Sequence, residues 1–136
     1  VLTSSDGTVE IEQGSSRYKV TPTSRKNPVR GYVDSAVRGH QITSITGWGA
    51  DSRPGGEPVQ ILLFDDEKLM ASTQTNSVRV DVAKAFALPR LKYAGFGFHI
   101  PSVLLSEPGQ GSLRLFIITS DGVATEMVYD KNYPWK

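Results

Sequence analysis

Apolar and polar residues alternate along this chain in short runs separated by turn-forming residues, and that rhythm predicts strands rather than helices. Val9-Glu10-Ile11-Glu12 predicts a short edge strand with both glutamates toward water. Val29 to Asp34 sets Val29, Gly31 and Val33 on one face and Arg30, Tyr32 and Asp34 on the other, and Gln41 to Trp48 follows after the Arg38-Gly39 turn. Val59 to Phe64 has apolar residues on both faces, the pattern of a central strand covered on both sides. The polar tip Asp65-Asp66-Glu67-Lys68 joins it to Leu69 to Thr73 as a hairpin with a four-residue loop.

Val78, Val80 and Val82 against Arg79 and Asp81 predict a half-buried strand. Asp81 also stands where it would cap a single helical turn over Val82 to Phe86, with Pro89 as its stop. Tyr93 to Ile100 sets Phe96, Phe98 and Ile100 opposite Gly95, Gly97 and His99. Ser112 to Thr119 and Val123 to Tyr129 are joined through Asp121-Gly122, a strong hairpin signal.

Together these runs predict an all-β fold, an antiparallel β-sandwich (immunoglobulin-like or jelly-roll-like) of about eight or nine strands with at most one or two short helical turns. A barrel is the alternative. The expected organisation is an N-terminal edge strand and linker-like segment at 1–28, a sandwich domain at 29–130 and a C-terminal tail at 131–136. The expected core is Val33, Ile42, Ile45, Ile61, Leu63, Val78, Val80, Phe96, Phe98, Ile100, Leu113, Leu115 and Ile117.

Composition changes this picture in three ways. The chain has no cysteine, which excludes a disulfide framework, a thiol nucleophile and a thiolate metal site. Its net charge of +1 gives no overall electrostatic case for nucleic acid or anionic lipid. Its longest apolar runs, Ile61 to Phe64 and Leu115 to Ile118, fall far short of the roughly 20 residues of a helical span, so no membrane insertion is expected. A start at Val1 without a charged and apolar leader reads as an excised fragment or a processed product, with the function expected to belong to a missing neighbour.

Catalytic signatures are thin. Gly-x-Ser-x-Gly is missing, and His40 and His99 read as ordinary histidines. A pair among Asp34, Asp51, Asp65, Asp66, Asp81 and Glu107 would suit glycoside hydrolysis, but most of these acids stand where Asp closes turns. Asp65-Asp66-Glu67 lacks calcium-loop spacing, and no metal or cofactor is expected. The basic cluster of Arg17, Lys19, Arg25 and Lys26 reads as a solvated tether.

Aromatic residues carry more promise. Tyr32, Trp48, Tyr93, Tyr129, Tyr133 and Trp135 lie outside the Phe-rich core pattern. Trp48, held between Gly47 and Gly49 and followed by Asp51 and Arg53, is either a plug of the sandwich or a sugar-stacking platform. Arg79 and Asp81 add polar groups of the kind a glycan site uses, or join Asp34 and Asp51 in a structural network.

The succession Gly31-Tyr32-Val33-Asp34, Ile45-Thr46-Gly47-Trp48-Gly49-Ala50-Asp51, Pro58-Val59-Gln60-Ile61, Val78-Arg79-Val80-Asp81-Val82 and Gly95-Phe96-Gly97-Phe98 before Ile100-Pro101 resembles a β-sandwich module found beside bacterial glycosyltransferases and other surface-polysaccharide assembly enzymes. It covers about half the chain; Gly49 stands where the family usually has Ala. The resemblance implies a non-catalytic accessory role in the cell envelope, outside the cytoplasm, contacting glycan or positioning a parent enzyme; the alternative placement is cytoplasmic. A second functional expectation is a protein-interaction or oligomerisation domain pairing through an exposed edge such as Val9 to Glu12. A carboxylate enzyme is the third.

Overall fold

Two sheets face each other across the main core. The computed structural model describes residues 2–3, 9–21, 27–55, 58–107, 110 and 112–129, with backbone alone at 2–3 and 128–129. The strands are β1 (Leu2–Thr3), β2 (Val9–Gln13), β3 (Ser16–Thr21), β4 (Val29–Arg38), β5 (Ile42–Asp51), β6 (Gln60–Asp65), β7 (Lys68–Gln74), β8 (Gly95–Pro101), β9 (Leu113–Ile118), β10 (Ala124–Glu126) and β11 (Val128–Tyr129). A single α-helix, α1 (Val80–Phe86), and 3-10 turns at Pro89–Tyr93 and Ser102–Leu104 complete the described residues. The larger sheet runs β1-β2-β3-β10-β9-β6-β7 and the smaller β11-β4-β5-β8. Pairing is antiparallel except at β3/β10 and β4/β11. The all-β class is therefore present, as two mainly antiparallel sheets.

Alternation explains the core. Val29 and Val33 of β4, Ile45 of β5 and Phe96, Phe98 and Ile100 of β8 point inward against Ile61 and Leu63 of β6 and Leu115 and Ile117 of β9. The opposite face of β6 and β9 is apolar too, through Leu62, Phe64, Phe116 and Ile118. The hairpin β2/β3 covers it with Ile11, Val9, Tyr18 and Val20. Residues 16–21, expected as a linker or a loosely attached strand, thus form a strand bonded on one side to β2 and on the other to β10. Their apolar positions alternate weakly, but the apolar outer face of β6 and β9 gives them a partner surface. The edge expected at Val9 to Glu12 is covered in part, because β1 pairs with Val9 and Glu10, while β3 pairs with Glu10 to Gln13 on the other side. The tail at 131–136, with Tyr133 and Trp135, and Arg25 and Lys26 of the basic cluster lie outside the described residues.

Three expected core residues are instead exposed: Ile42, Val78 and Val80. On an unbulged strand, residues three apart face opposite ways, so Ile45 inward puts Ile42 outward. Val78 to Val82 is not a strand. Arg79 occupies the N-cap and Val80 opens α1, with Val82 and Phe86 spaced for a helical face. The Ala-rich run Val82-Ala83-Lys84-Ala85-Phe86 favours helix, and the outer face of β5 offers it a seat. Asp81 accordingly stands in the first helical turn rather than at the cap, and Ala87 ends the helix in the left-handed region at φ 54°. At the β6/β7 tip Asp65 pairs with Lys68, leaving a two-residue turn of Asp66 and Glu67. Asp65 itself is buried and accepts the Ser106 N–H at 2.7 Å.

Candidate functional site: the cover seated on Trp48

The alternation of β5 decides where its functional residues point. Gly47, Gly49 and Asp51 share the inward parity of Ile45, whereas Trp48 and Ala50 face out. The glycines are required inside: a Cβ on Gly49 would stand 2.8 Å from Ile61 Cδ1, and one on Gly47 would strike the Tyr32 carbonyl. Trp48 neither plugs the sandwich nor lies free as a platform. It is half-buried beneath a cover made of α1 and the Pro89–Tyr93 turn, in a cluster with Ala50, Val82, Leu91, Ala94 and Phe86. The Trp48 and Phe86 rings meet edge to face, 5.8 Å between centroids and 77° between planes. Arg30 lies over the Phe86 ring at 4.6 Å.

Backbone bonds fasten the cover at both ends. Ser77 and Gly95 exchange N–H to carbonyl bonds of 3.0 and 2.9 Å, Arg79 N–H donates to Lys92 at 2.6 Å, and Gly49 N–H donates to Ala94 at 3.0 Å. From the 3-10 turn, Arg90 donates to the carbonyls of Asp51, Ser52 and Arg53 at 3.3, 2.8 and 3.1 Å.

Arg79 supplies the side-chain fastening. It donates from Nε and Nη2 to Asp81 at 2.9 and 2.8 Å and from Nη1 to Asp34. Asp34 is available because the β4/β5 register slips between Val33 and Ser35, a bulge that leaves it unpaired and re-aimed across the sheet. The Asp81 carboxyl is pulled down to about 2, first by the Arg79 hydrogen bonds and then by its charge. Its two carboxylate partners raise Arg79 in turn.

A second arginine works at the end of the sandwich. Arg53 donates to Asp51 from Nε at 2.9 Å and Nη2 at 2.8 Å, and to Asp121 from Nη1 and Nη2 at 3.0 Å each. Asp51 is 1% exposed, whereas Asp121 stands in the β9/β10 turn open to water. Arg53 therefore ties the smaller sheet to the larger. It holds the Asp121 carboxyl below the ordinary range, with help from the Thr119 hydroxyl.

The five residues singled out from sequence thus divide. Trp48, Arg79 and Asp81 belong to the cover, and Asp51 and Arg53 to the inter-sheet clamp, so Trp48 and Asp51 form no common platform. Sequence reasoning missed Arg90, Phe86 and Asp121 as members of these groups. The i, i+4 spacing of Val82 and Phe86 was the available signal for the cover.

The arrangement has clear chemical consequences. These four carboxylates accept charged hydrogen bonds from guanidinium groups, which leaves each of them occupied by an intramolecular partner. Among the described residues no three His, Cys, Asp or Glu side chains gather to hold a metal ion, and no helix is long and apolar enough to cross a membrane. His99 Nδ1 and Ser44 Oγ lie 3.1 Å apart on the exposed part of the smaller sheet. The outer surface of the cover carries an open groove of about 400 Å³ lined by Val80, Ala83, Lys84, Ala87, Pro89 and Lys92. No protein-family model, curated protein or solved structure matches this chain.

Proposed function

We propose that this chain is a non-catalytic accessory module that positions a neighbouring protein through the outer surface of its α1 cover. The observation that carries this reading is the groove itself, a mostly apolar surface on an element whose other side is already seated on Trp48. Apolar surface left over after an element has found its seat is the usual mark of an interaction site. The setting we propose is a bacterial envelope or polysaccharide-assembly protein outside the cytoplasm, in keeping with the resemblance of the β4, β5 and β8 motifs.

Site-specific photo-crosslinking in living cells tests the reading. A photoreactive residue at Lys84 is expected to capture a discrete protein that the same residue at exposed Val37 does not, with capture lost in Val80→Glu. Equal capture from both positions contradicts it.

Direct glycan contact is the second reading. Tyr32, 37% exposed and paired across the strands with Trp48, shares the outer face with the Asp34–Arg79 pair. A glycan array probed with the intact chain and with Tyr32→Ala tests it, and failure of the intact chain to bind any glycan removes it.

A further inference from the structure

The helix α1 is apolar on two sides, and only one side has a partner. Val82 and Phe86 press on Trp48, Ala50, Leu91 and Ala94. Val80, Ala83 and Lys84, spaced i, i+3 and i+4, run along a second side to the terminating Ala87 and open to solvent beside Pro89 and Lys92, with Ala83 also touching the cluster beneath the helix. A helix that merely caps a sheet needs one apolar stripe and a polar back. Val80, 51% exposed, occupies a position where such a helix would carry a polar residue.

Charge identifies the occupant. Both ionisable residues lining the groove, Lys84 and Lys92, are exposed and cationic. Neither forms an ion pair among the described residues, and Lys92 Nζ rests 5.1 Å over the Tyr93 ring. Asp81, the acid of α1, is turned to Arg79 and has its charge answered there. The groove is therefore apolar along its floor and positive at its rim.

Resting on the docking reading above, we infer that the groove takes a protein segment of acidic-apolar chemistry: an aliphatic or aromatic side chain laid between Val80, Ala83, Ala87 and Pro89, with flanking carboxylates on Lys84 and Lys92. Desolvated apolar contact supplies the affinity, and the two lysines select for negative flanks.

The test is a titration of the isotope-labelled intact chain, followed by NMR, with three capped peptides. Each has a central Leu-Phe pair, flanked on both sides by Glu, by Gln or by Lys. The expected result is saturable shifts confined to residues 80–93 with the Glu peptide, about tenfold weaker binding of the Gln peptide and none of the Lys peptide. The double variant Lys84→Gln/Lys92→Gln, checked for native shifts elsewhere, is expected to bind the Glu peptide no better than the Gln peptide.

Equal binding of the Glu and Gln peptides at the groove overturns the acidic preference while leaving protein docking standing. No saturable shift with any peptide up to millimolar concentration overturns the inference. A retained crosslink from position 84 then keeps the docking reading, and a lost one removes both. Concentration-dependent self-association through residues 80–93 in the absence of peptide also overturns it, by assigning the groove to a second copy of this chain.

Discussion

Two arginines in this molecule each hold two aspartates, yet they do different jobs. Arg53 grips Asp51, which is 1% exposed, and reaches across to Asp121 in the other sheet. Arg79 grips Asp81 and Asp34, both open to water, and ties a short helix to the outside of one sheet. The difference lies in what each arginine would leave behind. Removing the Arg53 guanidinium leaves a buried carboxylate with only the backbone N–H of position 53 among the donors that residue supplied, whereas removing Arg79 leaves carboxylates that water can solvate.

Arg53→Ala is the largest test of that contrast. Breaking a pair whose acid is buried is expected to lower stability more than the loss of either contact below, although the solvent that reaches Arg53 tempers the effect. Denaturant unfolding should show it as a lower midpoint for the whole domain. A change within error would mean that Asp51 finds other donors.

Trp48→Ala follows. It removes the edge contact with Phe86 and the seat of α1, at an expected cost of about 2 kcal/mol, less than for a fully buried Trp. Near-ultraviolet circular dichroism should report the lost packing while the far-ultraviolet β signal stays. Loss of both signals would make Trp48 a keystone of the sandwich rather than the seat of its cover.

Arg79→Ala is expected to cost about 1 kcal/mol, as for partly exposed ion pairs that share one cation. Its effect should fall on α1 and spare the sheets. Equal loss across the domain would erase the distinction between the two arginines.

The smallest effect is in pH. Asp81 has its folded value depressed to about 2 from an ordinary 3.8, so its stabilising contribution is fully present above 3.8 and fades as pH falls through about 2. An NMR titration of the Asp81 carboxyl carbon should show this low midpoint in the native chain. In Arg79→Ala it should move back toward 3.8. An unmoved midpoint would show that the Arg79 pair is not what lowers it.

How legible this was in the sequence varies with distance along the chain. The alternation of β4, β5 and β8 placed Val33, Ile45, Phe96 and Phe98 inside, and the glycines beside Trp48 signalled close approach, which Ile61 and Phe96 supply. Val78 to Val82 misled because three valines at period two fit a strand, whereas the next residues and the bare outer face of β5 favour helix. The Arg53–Asp121 contact spans 68 positions, and nothing local in either turn announces it. Asp34 was visible as a strand residue, but its re-aiming depends on a bulge set by pairing with β5. Lys84 and Lys92 gained meaning only once α1 had a buried side and therefore an outer one.

Native-state hydrogen exchange tests the central claim most directly, because it measures each element's opening separately. In Arg79→Ala the amides of Val82 to Ala94 should exchange faster while those of β5, β6 and β9 keep their protection. In Arg53→Ala all of these elements should lose protection together. A common loss in both variants, or faster exchange at α1 in Arg53→Ala alone, would contradict the division of the molecule into a clamped sandwich and a separately fastened cover.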